Sequence, residues 1–243
     1  MILDFLTILS FLVNIFSDAG IMRPGLLNQE DPSIINTHKF YWKKPCFFYL
    51  EEKFKLIQYK SETFTVKFCQ KCRIFRALRA HHCKFCGVCV EEYDHHSQMI
   101  SNCVGKRNKK CFLLMLWLGL LTIFEILLLS LYNLLDEKSR NDKSRVIYSL
   151  VFLALSSFLF FSIGMMLCLQ MYLISNGMNT VEYFHGSYKK NSNPFNEGAL
   201  KNWWNFLKRR RSHRTVDLKY LKAIDAEKNV EDSIGINLQS LNQ

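Results

Sequence analysis

Two long apolar runs govern what this chain can fold into. Cys111 to Leu135 reads CFLLMLWLGLLTIFEILLLSLYNLL, and Val146 to Ser175 reads VIYSLVFLALSSFLFFSIGMMLCLQMYLIS. A short polar loop, Asp136 to Arg145, separates them. At about 1.5 Å per residue, either run as a helix crosses a hydrocarbon layer of about 30 Å. Inside hydrocarbon each backbone amide must be satisfied within its own segment, so such runs take the helical form. Both are too long to read comfortably as core helices of a soluble domain. Ser156, Ser157, Ser162 and Gly164 are small enough to allow close helix contact. One charge, Glu125, falls near the middle of the first run. A lone carboxylate in lipid costs several kcal/mol, so Glu125 is expected to face another helix or to be protonated.

Residues 1–16, MILDFLTILSFLVNIF, form a third apolar run that is shorter and carries Asp4 and Asn14. It lacks the basic start and small-residue cleavage site of a signal peptide. It reads as a membrane anchor with Met1 at the far side. Lys and Arg crowd residues 67–110 and 189–214, on either side of the two long runs. A two-helix hairpin puts both segments on one face, and the positive-inside rule makes that face cytosolic.

The formal net charge of +11 does not by itself imply nucleic acid. Anionic headgroups and phosphate-bearing cofactors attract the same charges. Trp203-Trp204-Asn205-Phe206-Leu207 followed by Lys208-Arg209-Arg210-Arg211 suits a membrane interface. The alternative, a nuclear-localisation or RNA-binding run, sits badly with two spanning helices. From Thr215 the chain is polar.

Residues 17–66 are mixed and rich in aromatics. Asp18-Ala19-Gly20 and Arg23-Pro24-Gly25 are turn signals. Phe40, Tyr41, Trp42, Phe47, Phe48 and Tyr49 suit either strand core or interfacial contacts, and short strands are expected near 46–51 and 63–68. No internal repeat is evident.

The densest chemistry lies from Phe68 to Cys103, FCQKCRIFRALRAHHCKFCGVCVEEYDHHSQMISNC. Six of the nine cysteines fall here among histidines. Thiolates and imidazoles in this number make two tetrahedral Cys₃His zinc sites, with C-x-x-C turns bringing two sulfurs to one metal. Thiolates persist in reducing compartments, which again points to the cytosol. Spacing leaves the grouping open. A sequential set would join Cys69, Cys72, His81 or His82, and Cys83; an interleaved set is equally compatible.

The pattern Cys69-x₂-Cys72-x₉-His82-Cys83-x₂-Cys86-x₂-Cys89-x₄-Asp94-His95-His96-Ser97-x₅-Cys103-x₄-Asn108-x₃-Phe112 resembles the cysteine-rich domain of the DHHC (Asp-His-His-Cys) protein S-acyltransferases. Asp18-Ala19-Gly20 resembles that family's Asp-Pro-Gly element. Asn179-Thr180-Val181-Glu182 resembles its Thr-Thr-x-Glu element, and Phe195 to Gly198 followed by Asn202 resembles its C-terminal motif. The likeness covers about residues 17–207. It implies interleaved zinc sites: Cys69, Cys72, His82 and Cys89 at one, Cys83, Cys86, His96 and Cys103 at the other. Both would be structural, since all four positions of each are filled. Asp18, Gly20, Asn108, Thr180, Glu182 and Asn202 are implied as structural motif residues. The family usually has four spanning helices with this domain between the second and third, so the first is expected to be missing here.

The resemblance further implies two-step acyl transfer. The motif cysteine takes a fatty acyl group from acyl-CoA, palmitoyl-CoA for example, and passes it to a cysteine of a substrate protein. His95 would be the base and Asp94 its orienter. The chain departs from the family where it matters most, with Ser97 at the nucleophile position. A hydroxyl is harder to ionise than a thiol, and passing an acyl group from an oxygen ester to a thiol is uphill. Gln98-Met99-Ile100 also replaces the Pro-Trp and small apolar residue usual in the family, which favours natural divergence over an engineered change. Lys67, Arg73, Arg76 and Arg79 are candidates to meet CoA phosphates, or else a solvated basic face.

The expected fold class is therefore a membrane α-helical protein. It has three spanning helices, or two if the first does not cross, and a small cytosolic two-zinc domain between the first and second. The boundaries are 1–17 short spanning helix, 18–66 connector, 67–110 zinc domain, 111–135 spanning helix, 136–145 lumenal loop, 146–175 spanning helix and 176–243 cytosolic tail. The expected partners are an endomembrane such as ER or Golgi, fatty acyl-CoA and cysteine-bearing proteins, with no nucleic acid. The competing reading is a non-catalytic zinc scaffold that binds acyl-CoA or a protein.

Overall fold

The computed structural model describes residues 2–22, 34–43, 46–59, 62–136, 142–189 and 192–209, with the backbone alone for 34–43, 46–56, 58 and 62. Arg23-Pro24-Gly25, the centre of the 136–145 loop, Lys190, Arg210, Arg211 and the polar tail from Thr215 lie outside the described residues.

The apolar runs fold as helices α1 (Ile2–Ile15), α2 (Lys109–Leu135) and α3 (Lys143–Ser175). Both long helices begin a little before the expected 111 and 146. The Asp142 side chain caps α3 by accepting the Ser144 N–H at 3.0 Å, and the Asn108 carbonyl accepts the Phe112 N–H at 2.9 Å. α2 lies between α1 and α3. The Thr7 and Thr122 hydroxyls meet at 2.8 Å, and Asn14 Nδ2 donates to the Cys111 carbonyl at 3.0 Å. Such polar contacts fix helices that hydrocarbon alone would let slide.

The core gathers at one end of these helices. Phe112, Leu113, Met115 and Leu116 of α2 pack with Leu167 and Ile174 of α3 and with Ile100 and Val104 from the cysteine-rich segment. Toward the other end the helices bare their apolar side chains. In the most apolar windows only 22% of α2 and 11% of α3 is buried, whereas a core helix is buried on its apolar side. Both helices are long and apolar enough to cross a membrane; α1, at 14 residues, is shorter than a span needs. Glu125 is exposed on α2 and, among the described residues, has no partner. The expected contact with a neighbouring helix of this chain is not made.

Strands β1 (Ile34–Lys43), β2 (Cys46–Tyr59), β3 (Glu62–Cys69) and β4 (Ile74–Phe75) form an antiparallel sheet in sequence order. The strands are longer than expected: β2 runs on past residue 51 through the charged Glu51 to Lys55 stretch, and β1 adds a partner for it. β5 (His81–Cys83) pairs with β6 (Val88–Val90), and β7 (His95–Ser97) with β8 (Asn102–Val104). After α3, helices α4 (Thr180–His185) and α5 (Ala199–Lys208) turn back onto this segment. On α5, Trp203 and Phe206 pack against the core while Leu200, Trp204 and Leu207 face outward.

Candidate functional site

Three hairpins recur with an offset of 14 residues, a repeat the sequence reading missed. Their closing pairs are Cys69↔Ile74, Cys83↔Val88 and Ser97↔Asn102, with Phe68↔Phe75, His82↔Cys89 and His96↔Cys103 one step outward. The turn residues Arg73, Gly87 and Ser101 all have left-handed backbone, at φ 51°, 69° and 46°. Successive residues of a strand point to opposite faces, and directly paired residues point to the same face. His82 and Cys83 therefore cannot share a metal, whereas His82 and Cys89 can. This excludes the sequential grouping through His82; His81, on the face of Cys83, belongs to neither cluster. Each cluster joins the turn cysteines of one hairpin to the outer pair of the next: Cys69, Cys72, His82 and Cys89, then Cys83, Cys86, His96 and Cys103.

The donor atoms fit zinc. Bond lengths of about 2.3 Å to sulfur and 2.0–2.1 Å to nitrogen give a tetrahedron with an S···N edge of about 3.6 Å. His82 Nδ1 lies 3.5, 3.3 and 3.8 Å from the sulfurs of Cys69, Cys72 and Cys89. His96 Nδ1 lies 3.6, 3.4 and 3.7 Å from those of Cys83, Cys86 and Cys103. All six thiols are free. Hydrogen bonding with Cys89 lowers the Cys72 thiol to about 5, while the same contact pushes Cys89 far up. A dication among three such sulfurs lets all of them act as thiolates. Two zinc ions can thus be held, one per cluster.

On β7 the same alternation turns His96 toward a metal site and puts His95 and Ser97 on the other face. His95 Nδ1 lies 2.9 Å from Asp94 Oδ2. A carboxylate only accepts, so Nδ1 carries the hydrogen and Nε2 is left as the free, basic nitrogen. The His95 ring stands edge-on to Phe112, and Ser97 is buried. Asp94 is fully buried and is the hub of the site. Its Oδ1 accepts from Lys109 Nζ at 2.7 Å and from the Thr180 N–H at 3.1 Å. Its Oδ2 also accepts from Gln170 Nε2 at 2.9 Å and Thr180 Oγ1 at 2.6 Å. Burial alone would raise this carboxyl, but the Lys109 charge and these hydrogen bonds hold it far below the usual carboxylate range. Sequence reasoning missed Lys109 and Gln170. The available signal was Gln170 itself, an amide within an apolar run.

The sequence signature of DHHC palmitoyltransferases matches residues 62–187, or 126 of 243. The chain belongs to the DHHC palmitoyltransferase family. Probable protein S-acyltransferase 6 of Arabidopsis thaliana is 28% identical over 155 residues, 61% of this chain and 38% of that protein. Palmitoyltransferase ZDHHC5-B of Danio rerio is 28% identical over 149 residues, 61% of this chain and 23% of that protein. Palmitoyltransferase ZDHHC8 of Drosophila melanogaster is 28% identical over 200 residues, 79% of this chain and 20% of that protein. This DHHC chain thus spans a fifth to two fifths of these relatives' length.

The other motif positions of this DHHC chain brace the hairpins. Asp18 Oδ1 accepts the Gly20 and Ile21 N–H groups at 2.8 and 3.1 Å, and its Oδ2 takes Arg107 at 2.6 Å. Gly20, at φ 104°, then passes its carbonyl to the Glu91 N–H. Asn108 Oδ1 accepts the Gly105 N–H and its Nδ2 donates to the Cys103 carbonyl, tying β8 to the start of α2. Glu182 takes both forks of Arg79, at 2.7 and 2.6 Å. Asn202 Nδ2 donates to the Ser175 carbonyl at 2.8 Å, satisfying the end of α3. Asn102, which the sequence did not single out, does the same for α1 through the carbonyls of Asn14, Ile15 and Ser17.

Arg79 is thus neither a solvated basic residue nor a free phosphate ligand. Its side chain is 12% exposed, is paired with Glu182 and lies 4.4 Å over the Phe195 ring. Arg79 also borders a cavity of about 160 Å³ between the hairpins and the segment after α3, as do Lys106, Lys110 and Arg209. Lys67, Arg73 and Arg76 are not among its lining residues.

Proposed function

We propose that this chain is a membrane-embedded protein S-acyltransferase of the DHHC type whose turnover Ser97 impairs. The carrying observation is the Asp94–His95 pair at 2.9 Å, with Ser97 two positions along the same strand face. Zinc holds the hairpins in shape; the chemistry belongs to the side chains of β7. His95 Nε2 takes the Ser97 hydroxyl proton as Oγ attacks the acyl-CoA carbonyl. The C–S bond breaks, CoA leaves as the thiol with that proton, and an oxygen ester remains on Ser97. Asp94 keeps the ring oriented and offsets the charge it gains. Delivery to a substrate cysteine would then have to run from ester to thioester, which is uphill, so the chain stalls after the first step.

Several features support the membrane setting. The cysteine-rich hairpins and the segment after α3 touch through Thr180 and Glu182, which suits a common cytosolic face with α2 and α3 as a hairpin of spans. α1 would be a shorter, partial span whose N-terminus lies toward the far side. Lys106, Lys110 and Arg209 border the cavity that a phosphate of the CoA donor would enter; Glu91 pairs with Lys106 and Glu92 with Arg209, which leaves Lys110 as the one of the three without an acid partner among the described residues. An endomembrane such as the ER or Golgi, and cysteine-bearing substrate proteins, complete this reading.

Ser97 also favours a second reading, a scaffold that keeps the zinc hairpins and binds acyl-CoA or a protein without turnover. Labelled palmitoyl-CoA tests the two. The acyltransferase reading expects label on the full chain that resists neutral hydroxylamine and is lost in Ser97→Ala, and thioester-type label with transfer to a substrate cysteine in Ser97→Cys. If Ser97→Cys takes no label, the acyltransferase reading fails and the scaffold stands.

A further inference from the structure

Asp94, His95 and Ser97 bring a carboxylate, an imidazole and a hydroxyl together within four residues. Asp94 Oδ2 holds His95 Nδ1 at 2.9 Å, and His95 and Ser97 share a face of β7. This is the order of groups by which serine acyl-enzymes on unrelated folds form and discharge an oxygen ester. Ser97 is 8% exposed and the His95 side chain 21%. Ile100 and Phe112 are buried on the side toward the helices, an apolar wall that suits the acyl chain. Gln98 and Met99, the next two residues after Ser97, are exposed, Met99 by 63%.

An oxygen ester on Ser97 is blocked only toward acceptors that hold an acyl group at higher energy. A thiol is such an acceptor. A hydroxyl is not, since one ester then replaces another. An amine lies lower still, but a lysine arrives as an ammonium. That group has no lone pair to attack with, and an imidazole is too weak a base to deprotonate it. Water would draw the acyl group off, but the burial of Ser97 keeps bulk water from the ester. The base at hand, His95 Nε2, suits a neutral O–H acceptor.

Resting on the acyltransferase reading above, we infer that the acceptor matched to Ser97 is the hydroxyl of a serine or threonine in a substrate protein, which leaves as a fatty acyl ester. The acceptor oxygen attacks the carbonyl carbon of the Ser97 ester while its proton passes to His95 Nε2. The C–O bond to Ser97 breaks, and His95 returns that proton to Ser97 Oγ. Over both steps, acyl-CoA and a hydroxyl become an ester and the CoA thiol. That sum runs downhill, because a thioester is consumed and an ester made. With the helix side suited to the acyl chain, the outward edge at Gln98 and Met99 is left for the acceptor. A peptide segment can lie along such an edge, whereas a lipid alcohol would arrive from the side of Ile100 and Phe112.

The test uses the full chain in phosphatidylcholine vesicles, loaded with palmitoyl-CoA labelled in its acyl chain. Three peptides that differ only in a cysteine, serine or lysine at one position are then offered in excess, with monoacylglycerol in a fourth arm. Label should pass from Ser97 to the serine peptide at least about ten-fold faster than to the cysteine peptide, the ratio that about 1.4 kcal/mol of extra climb imposes. The labelled serine peptide should resist neutral hydroxylamine. Ser97→Cys should reverse the order of the two peptides. The hydroxyl acceptor is overturned if the parent takes no label or keeps it in the presence of the serine peptide. It is equally overturned if the label moves to the cysteine or lysine peptide as fast as to the serine one, moves faster to monoacylglycerol, or leaves only as free fatty acid. Labelling of Ser97→Cys separates the two failures: with label there the acyltransferase reading stands without the hydroxyl acceptor, and without it both fall.

Discussion

Asp94 draws donors from four places in the chain: its neighbour His95, Lys109 at the start of α2, Gln170 in α3 and Thr180 at the start of α4. A buried carboxylate so placed is a structural tie as well as an orienter of His95. Removing its charge strands the buried Lys109, so Asp94→Asn should cost about 3–5 kcal/mol in chemical unfolding. In a Ser97→Cys background the same change should lower acyl labelling about 10²- to 10⁴-fold, the usual worth of a positioned base. The pH dependence has a definite sign. The folded carboxyl titrates far below its ordinary value of 3.8, so its stabilisation is complete above about pH 4 and fades as pH falls below that. The stability gap between parent and Asp94→Asn should therefore narrow on acidification below about pH 4. The sequence offered Asp94, His95 and Ser97 through the resemblance of their motif to the DHHC family. It could not locate Lys109 and Gln170 at Asp94, because those contacts span 15 and 76 residues and leave no local pattern.

At the scale of the element, the hairpin repeat explains both the zinc sites and the nucleophile position. Ser97 occupies in the third hairpin the place that Cys69 and Cys83 occupy in the first two. Those two cysteines are committed to metal by a following hairpin. Among the described residues no further hairpin of that kind follows Ser97, so neither metal cluster claims its side chain. The ligand types were legible from C-x-x-C spacing. The repeat was hidden because its equivalent positions change identity, from Phe68 to His82 to His96 and from Cys72 to Cys86 to Ile100. The pair Arg79–Glu182 crosses from the first hairpin connection to α4. Arg79→Ala should cost about 3 kcal/mol or more in unfolding experiments. Arg79→Lys should recover only part of that, because an ammonium cannot fork onto both carboxylate oxygens.

For the whole molecule, the two long helices were plain from composition, while most of β1 was not, since its mixed residues carry no clean alternation. How the parts join was also invisible: Asn102 and Asn202 each close the end of a different helix through backbone carbonyls. The resulting topology is testable. A glycosylation acceptor inserted between Asp136 and Asp142 should be modified in ER-derived membranes, whereas one placed after Lys208 should not, if both flanks of the helix hairpin face the cytosol.

Elemental analysis of the full chain purified from membranes probes the paired metal hairpins most directly. The expected result is two zinc atoms per chain, falling to one or none in Cys72→Ser and Cys86→Ser with loss of cooperative unfolding. Less than one zinc per chain in the parent, or disulfides joining cysteines between Cys69 and Cys103, would contradict the account.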